Sequence, residues 1–275
     1  MTTTKKDAVP VQALLMPKQF IAIGKIIQFF SPKLASRFAA KLFLTPFKYP
    51  MPEREKHMYN NSRIERLTVP SINREIVVFH YGTSPKKVLL CHGWSGSGTQ
   101  LAKIAESLEK KGYSTISFDA PAHGRAPGKI SMMPFFIESV KYSLGGMSLL
   151  KAVSDGLPLD RLSIIGTANS ITHITKDFVR NMRLKPEVAT HLKSYMDGKF
   201  GEDLDNYSGA VSAKNVNIPT LVVHDKDDVD VHYSSAQEIN SVLDKGSLLL
   251  TEKLGHRRIL GHPETIEEIT SFITE

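Results

Sequence analysis

Four apolar runs in this chain end in residues able to do chemistry. Val88–Cys91 stops at His92-Gly93-Trp94, and Ser114–Phe118 stops at Asp119-Ala120-Pro121-Ala122-His123-Gly124. Thr220–His224 runs into Asp225-Lys226-Asp227-Asp228, and Ser247–Thr251 is followed by Leu254-Gly255-His256-Arg257. Acyl transfer from a serine needs a base to take the hydroxyl proton, a carboxylate to orient the base, and fixed donors to hold the oxyanion. His256, in a loop after a late strand, suits the base. His224, at a strand end, His232, at a helix start, and His262, before Pro263, suit it less well. The carboxylate is Asp225, Asp227 or Asp228. A candidate serine is Ser143, in Lys141-Tyr142-Ser143-Leu144-Gly145, where a lysine stands in place of the first glycine of a G-x-S-x-G elbow.

The elements that would position these groups are clearest between Lys87 and Gly128. A short apolar run bounded by Lys and Gly suits a fully buried strand. The glycine-rich loop Gly93–Gly98 follows. Leu101, Ile104, Ala105 and Leu108 then recur at helical spacing, with charged residues between them, and Gly112 suits a helix C-terminus. Ser114–Phe118 is a second strand. Strand, loop, helix and strand make a βαβ unit of a parallel sheet, whose ligands lie beyond the carboxyl ends of the strands.

A strand ending in HGW, a strand ending in FDAPAHG, then KYSLGG, VVHDKDD and LGHRRIL, in that order, resemble the α/β-hydrolase fold family. The resemblance runs from Lys87 to the C-terminus. It implies a mostly parallel twisted sheet with helices on both faces, and hydrolysis of a small ester, thioester or amide through an acyl-serine, without a cofactor or metal. It implies Ser143 as nucleophile, Asp228 as acid and His256 as base, with the backbone N–H groups of Trp94 and Leu144 as oxyanion donors. The family's acid follows a small residue by three positions and precedes an apolar one by three, which places Asp225, Asp228 and Val231. Asp225 or Asp227 would then hydrogen-bond the turn. The Trp94 side chain would wall an acyl pocket, and His123 would brace the loop after the second strand.

The segment before Ser143 departs from that pattern. The family places a loop, a helix and a buried strand between the acid-ended strand and the serine, and here there is room for one element. Two readings stand. In one, Val140–Tyr142 supplies a stub of strand before an elbow. In the other, a helix runs from Met132 through Ala152 with Ser143 inside it, and the protein is a catalytically inactive relative that binds a ligand or partner. Unpaired strand edges in a dry cleft would cost about 1–3 kcal/mol per group. The sheet is therefore expected to close over the missing strand, or to force Glu138–Ser143 into extended pairing.

The 275 residues suit one large α/β domain or two small ones, and 41% hydrophobic with 23% charged residues suits a soluble globular chain. Cys91 is the single cysteine, so no internal disulfide forms. The net charge of +7 fits a lysine-rich enzyme surface, and no nucleic-acid motif accompanies it. Met1–Pro10 is polar and lacks a signal-peptide pattern, and a cytoplasmic location is expected.

The organisation expected is an N-terminal helical extension over 1–52 and a hydrolase domain over 53–275 with a helical cap at about 170–207. Cap residues Phe178, Met182, Leu192, Tyr195 and Met196 point to an apolar acyl or aromatic group on a small-molecule substrate. In residues 18–48, Phe20, Ile23, Ile27, Phe30, Leu34, Phe38 and Leu42 recur at three- and four-residue steps among lysines, with Ser31-Pro32 breaking the run into two helices. These helices are expected to pack on the domain. The alternative is weak peripheral contact with an anionic membrane.

Overall fold

The computed structural model describes residues 16–143 and 148–275, with side chains given outside residues 141–149. The first described elements are two helices, α1 (Lys18–Phe30) and α2 (Pro32–Phe43). Ser31 is extended, its Oγ accepts from the Leu34 N–H at 3.3 Å, and Pro32 occupies the first turn, so the residues that end α1 also start α2. Next come α3 (Glu53–Asn60), β1 (Ser62–Val69), β2 (Arg74–Tyr81), β3 (Lys87–Leu90), α4 (Ala102–Lys110) and β4 (Ser114–Asp119). Then follow α5 (Met133–Ser143), α6 (Ser148–Ser154), β5 (Leu162–Ile165), α7 (Ile171–Asn181), α8 (Pro186–Phe200) and α9 (Gly209–Ala213). The last elements are β6 (Thr220–Asp225), α10 (Ser234–Ser241), β7 (Gly246–Thr251), α11 (Gly255–Arg258) and α12 (Pro263–Thr274).

The strands form a four-stranded sheet ordered β1-β2-β4-β3 and a three-stranded sheet ordered β5-β6-β7. β1 and β2 are an antiparallel hairpin at the edge, and β2 pairs antiparallel with β4. β3 runs parallel to β4, and β5, β6 and β7 are mutually parallel. β6 is buried along its whole length, as a strand flanked on both edges and covered on both faces must be.

The two sheets are held side by side by helices that pack on both. On one face, Leu150 and Val153 of α6 pack with Leu162 and Ile164, while Ala152 packs with Val78 and Phe118. On the other, Ile266 of α12 packs with Leu90 and Leu108, while Ile269 packs with Leu221 and Val223. The leader joins the helices after β5 in a separate apolar cluster. Ala35, Ala39 and Ala40 of α2 lie among Phe178, Val188, Leu192 and Met196 of α7 and α8. Small side chains on α2 let its axis approach α8 closely.

Neither expected remedy for the missing strand is adopted. Residues 138–143 belong to α5, so Val140–Tyr142 is helical and not a strand stub. β3 and β5 do not pair with each other, and among the described residues each is an edge strand of its sheet. The reason lies in the premise that the cleft would be dry. Residues 87–92 and 161–167 line one cavity of about 1930 Å³, and Leu89, Cys91 and Ile165 are half-buried. Edge amides facing a space that size are open to water, which removes most of the penalty for leaving them unpaired by protein.

Candidate active site

The carboxyl end of β6 and the turn after β7 build one hydrogen-bonded unit. Asp228 is buried, and its Oδ1 accepts from the N–H groups of Asp230 and Val231, both at 2.9 Å. Its Oδ2 lies 2.7 Å from Nδ1 of His256 and 3.2 Å from Nε2 of His224. His224 Nε2 is also 2.9 Å from the Val231 carbonyl oxygen, which can only accept. That nitrogen therefore carries a proton, by assignment from the network, and donates to both oxygens. One carboxylate thus orients two imidazoles, with Nδ1–H of His256 donating and its Nε2 left for chemistry.

Burial works against the charged forms of both Asp228 and His256, but their pairing wins. Hydrogen bonds from His224 and His256 and the backbone N–H groups hold the Asp228 carboxyl far below the usual carboxylate range. The bond to Asp228 and its charge hold the His256 pKa above the ordinary 6.5.

Asp225 holds the loop that carries His256. Its Oδ1 accepts from Gly255 N–H at 2.8 Å and Asp227 N–H at 3.0 Å; its Oδ2 accepts from Leu254 N–H at 3.1 Å and the Thr251 hydroxyl at 2.7 Å. These bonds outweigh its burial and keep its carboxyl below the usual range. Asp227 accepts from Lys253 N–H at 2.8 Å. The turn-binding roles of Asp225 and Asp227 leave Asp228 as the carboxylate that meets His256. Asp225→Ala would remove the acceptor of three part-buried N–H donors and of the Thr251 hydroxyl, at about 1 kcal/mol each. It is expected to lower the melting temperature clearly, and any hydrolytic rate with it; urea unfolding checks the first part.

Gly166, just past β5, has φ +60°, and a Cβ placed there would sit 3.1 Å from Cε1 of His256. A side chain at this position would displace the imidazole. In the sequence, Gly166 reads only as a strand end, and nothing there links it to His256.

Across the cavity, His92 pins two strand ends. Its Nδ1–H donates to the Gly93 carbonyl at 2.7 Å, and its Nε2 accepts from Ala120 N–H at 3.1 Å. Burial lowers the His92 pKa, and burial, with a smaller contribution from the charge of a protonated His92, pushes His123 down to about 2. His123 donates to the Pro121 carbonyl at 3.0 Å, within the loop after β4. Trp94 stacks on Phe43 of α2 with ring centroids 6.3 Å apart, and Phe43 meets Phe178 of α7 edge-on. His256, Gly166, Trp94, Phe43 and Phe178 line the same cavity. Among the described residues, the Trp94 N–H has no protein acceptor.

Of the other sequence-derived residues, Ser143 is the last residue of α5, and its side chain lies outside the described residues, as does Leu144. His232 bonds Ser234, and His262 bonds Thr265 at the start of α12. His224 is the group the sequence undervalued. Its visible signal is a histidine four residues before the acid, at the buried end of a strand.

No protein-family model matches the sequence, and no curated protein matches it. Solved structures do. An esterase of Pyrococcus furiosus aligns with a TM-score of 0.62 at 15% identity, over 84% of this chain and 97% of that one. A bromoperoxidase of Bacillus anthracis aligns with a TM-score of 0.58 at 15% identity, over 78% and 100%. A bacterial membrane phospholipase A aligns with a TM-score of 0.58 at 16% identity, over 93% and 96%. With its parallel strands, flanking helices and a buried acid facing a histidine beyond the strand ends, the chain has the α/β-hydrolase fold.

Proposed function

We propose that the protein is a serine hydrolase of carboxylesterase type that cleaves a small ester, thioester or amide bearing an apolar acyl group. The observation that carries this reading is the 2.7 Å contact between buried Asp228 and His256, with His256 opening onto an apolar-walled cavity. In this reading Ser143 Oγ attacks the acyl carbon as its proton passes to His256 Nε2. The imidazolium, steadied by Asp228, gives that proton to the departing alcohol, thiol or amine. Water then attacks the acyl-serine, with the proton relayed through the same nitrogen. The Trp94 N–H, which has no protein acceptor among the described residues, is an oxyanion donor, and such a donor contributes roughly 3 kcal/mol. Leu144 N–H is the second. Phe43, Trp94 and Phe178 receive the acyl chain. Structures named as esterase, lipase and thioesterase among the similar folds support the class.

A fluorophosphonate probe tests the nucleophile. The expected result is covalent labelling mapped to the peptide holding Ser143, absent from Ser143→Ala and from His256→Ala. Labelling elsewhere would move the nucleophile. No labelling together with no turnover of short p-nitrophenyl esters would end the hydrolase reading.

A further inference from the structure

Among the described residues, the outer face of the N-terminal helices α1 and α2 carries the densest group of exposed large apolar side chains. Ile26, Phe29, Phe30 and Leu34 are 61%, 82%, 78% and 53% exposed, and Ile23 is exposed beside them. Ile23, Ile26 and Phe30 follow helical steps of three and four along one side of α1. Phe29 meets Phe30 edge-on, and Leu34 stands just past the Ser31-Pro32 turn. The opposite side is anchored: Phe20, Ile21 and Ile27 pack on the cluster of α7 and α8. Gly24 is buried so tightly that a Cβ there would lie 3.1 Å from Leu184. The apolar ridge is thus held outward by a helix that cannot roll over to hide it. An exposed apolar stripe on a fixed helix marks an interaction surface.

The charge around the ridge selects the partner. Lys18, Lys25, Lys33, Arg37 and Lys41 are all exposed, and no acidic residue occurs between Asp7 and Glu53. Aromatic and aliphatic side chains framed by lysines fit the headgroup region of a bilayer carrying negative charge. A second copy of the chain fits poorly, because a symmetric contact would press one set of lysines against the other. Among the described residues no helix is long and apolar enough to cross a membrane, and α1 at 13 residues can only lie along one.

We infer that the face of α1 and the start of α2 carrying Ile23, Ile26, Phe29, Phe30 and Leu34 docks on an anionic lipid bilayer. Docking sets α1 in the interface plane, with the apolar ridge inserted and the lysines among the lipid phosphates. α2 continues from that face to Phe43 at the cavity wall. The surface owes nothing to the chemistry of Asp228 and His256, so it stands or falls separately from the hydrolase reading.

The test is co-sedimentation of the full chain with sucrose-loaded vesicles of phosphatidylcholine alone or mixed with phosphatidylglycerol. The expected result is pelleting with the anionic vesicles, weaker pelleting with neutral ones, and release by salt. Phe29→Ser/Phe30→Ser and Lys25→Glu/Lys33→Glu each lower the partition coefficient roughly tenfold or more. All four positions are exposed, so an unchanged melting temperature accompanies the loss. Equal pelleting of wild type and the Phe29/Phe30 variant overturns the inference, as does equal binding to neutral vesicles or a wild type left in the supernatant. A wild-type dimer made monomeric by Phe29→Ser/Phe30→Ser, with no vesicle binding, assigns the face to self-association instead.

Discussion

Replacing His256 with alanine is expected to abolish hydrolysis of short p-nitrophenyl esters, by roughly 10³-fold or more, while leaving the fold in place. The size follows from its position. His256 is the imidazole that both meets buried Asp228 and lines the cavity, so no neighbour can take over its proton transfer. His224 shares the carboxylate but is buried, with Nε2–H committed to Asp228 and Val231. The structural cost is small. The His256 side chain is 36% exposed, and solvent screening holds its pairing with Asp228 to about 1 kcal/mol or less. Without His256, Asp228 still accepts from two N–H groups and from His224. His262→Ala, which removes only a bond to Thr265, is the matching control and leaves the rate unchanged. Full esterase activity in His256→Ala would sink the base assignment.

Much of the frame was legible because its signals are local. The run Val88–Cys91, the periodic Leu101–Leu108 and the run Ser114–Phe118 produce β3, α4 and β4, and Ser31-Pro32 divides the leader where a cap and a first-turn proline dictate. Asp228 and His256 were legible as a pair because each sits in a short turn directly after a strand, where parallel topology brings the two ends together.

What was not legible depends on long-range packing. Whether β3 and β5 would close up is decided by α6 and α12, which pack on both sheets and hold the edges apart, and no residue in either strand encodes that spacing. The sharing of Asp228 by His224 was hidden for a related reason. A histidine at the end of an apolar strand looks like core, and only the turn of the chain from His224 back to Val231 shows that its proton points at the acid. The leader divided the evidence differently. Its periodicity foretold helices, but a stripe at three- and four-residue steps does not say which apolar residues go inward. Gly24 and the alanines of α2 turn out to mark the buried side.

Asp228→Asn is expected to lower the hydrolytic rate by about 10⁴-fold, and Asp227→Asn to change it little. The asymmetry follows from donors and acceptors. Every group around Asp228 donates: two backbone N–H groups at Oδ1, and the N–H groups of His256 and His224 at Oδ2. An amide can present its oxygen to only one of these sets, and its NH₂ then faces donors on the other side. If the NH₂ faces His256, Nδ1 must give up its proton and the ring carries it on Nε2, the tautomer unable to accept from a serine. If it faces the Asp230 and Val231 N–H groups, the turn holding the residue is pushed open. Asp227 accepts from the exposed Lys253 N–H, a bond that an amide oxygen can accept equally well. The pH profile gives a second reading with a definite sign. His256 works as a base only when neutral, and the charge of Asp228 holds its pKa above 6.5, so the acid limb of kcat/KM lies above 6.5 in the wild type. Removing that charge moves the limb to lower pH in whatever activity remains. The stability effect runs the other way along the scale. A carboxyl depressed in the folded state stabilises above its unfolded pKa, near 3.8, and that contribution fades as pH falls through the folded value, so Asp228→Asn costs most stability at neutral pH and least in acid. Equal rate losses in the two variants, or an acid limb that stays in place in Asp228→Asn, would show that Asp228 is not the residue that sets the charge and tautomer of His256.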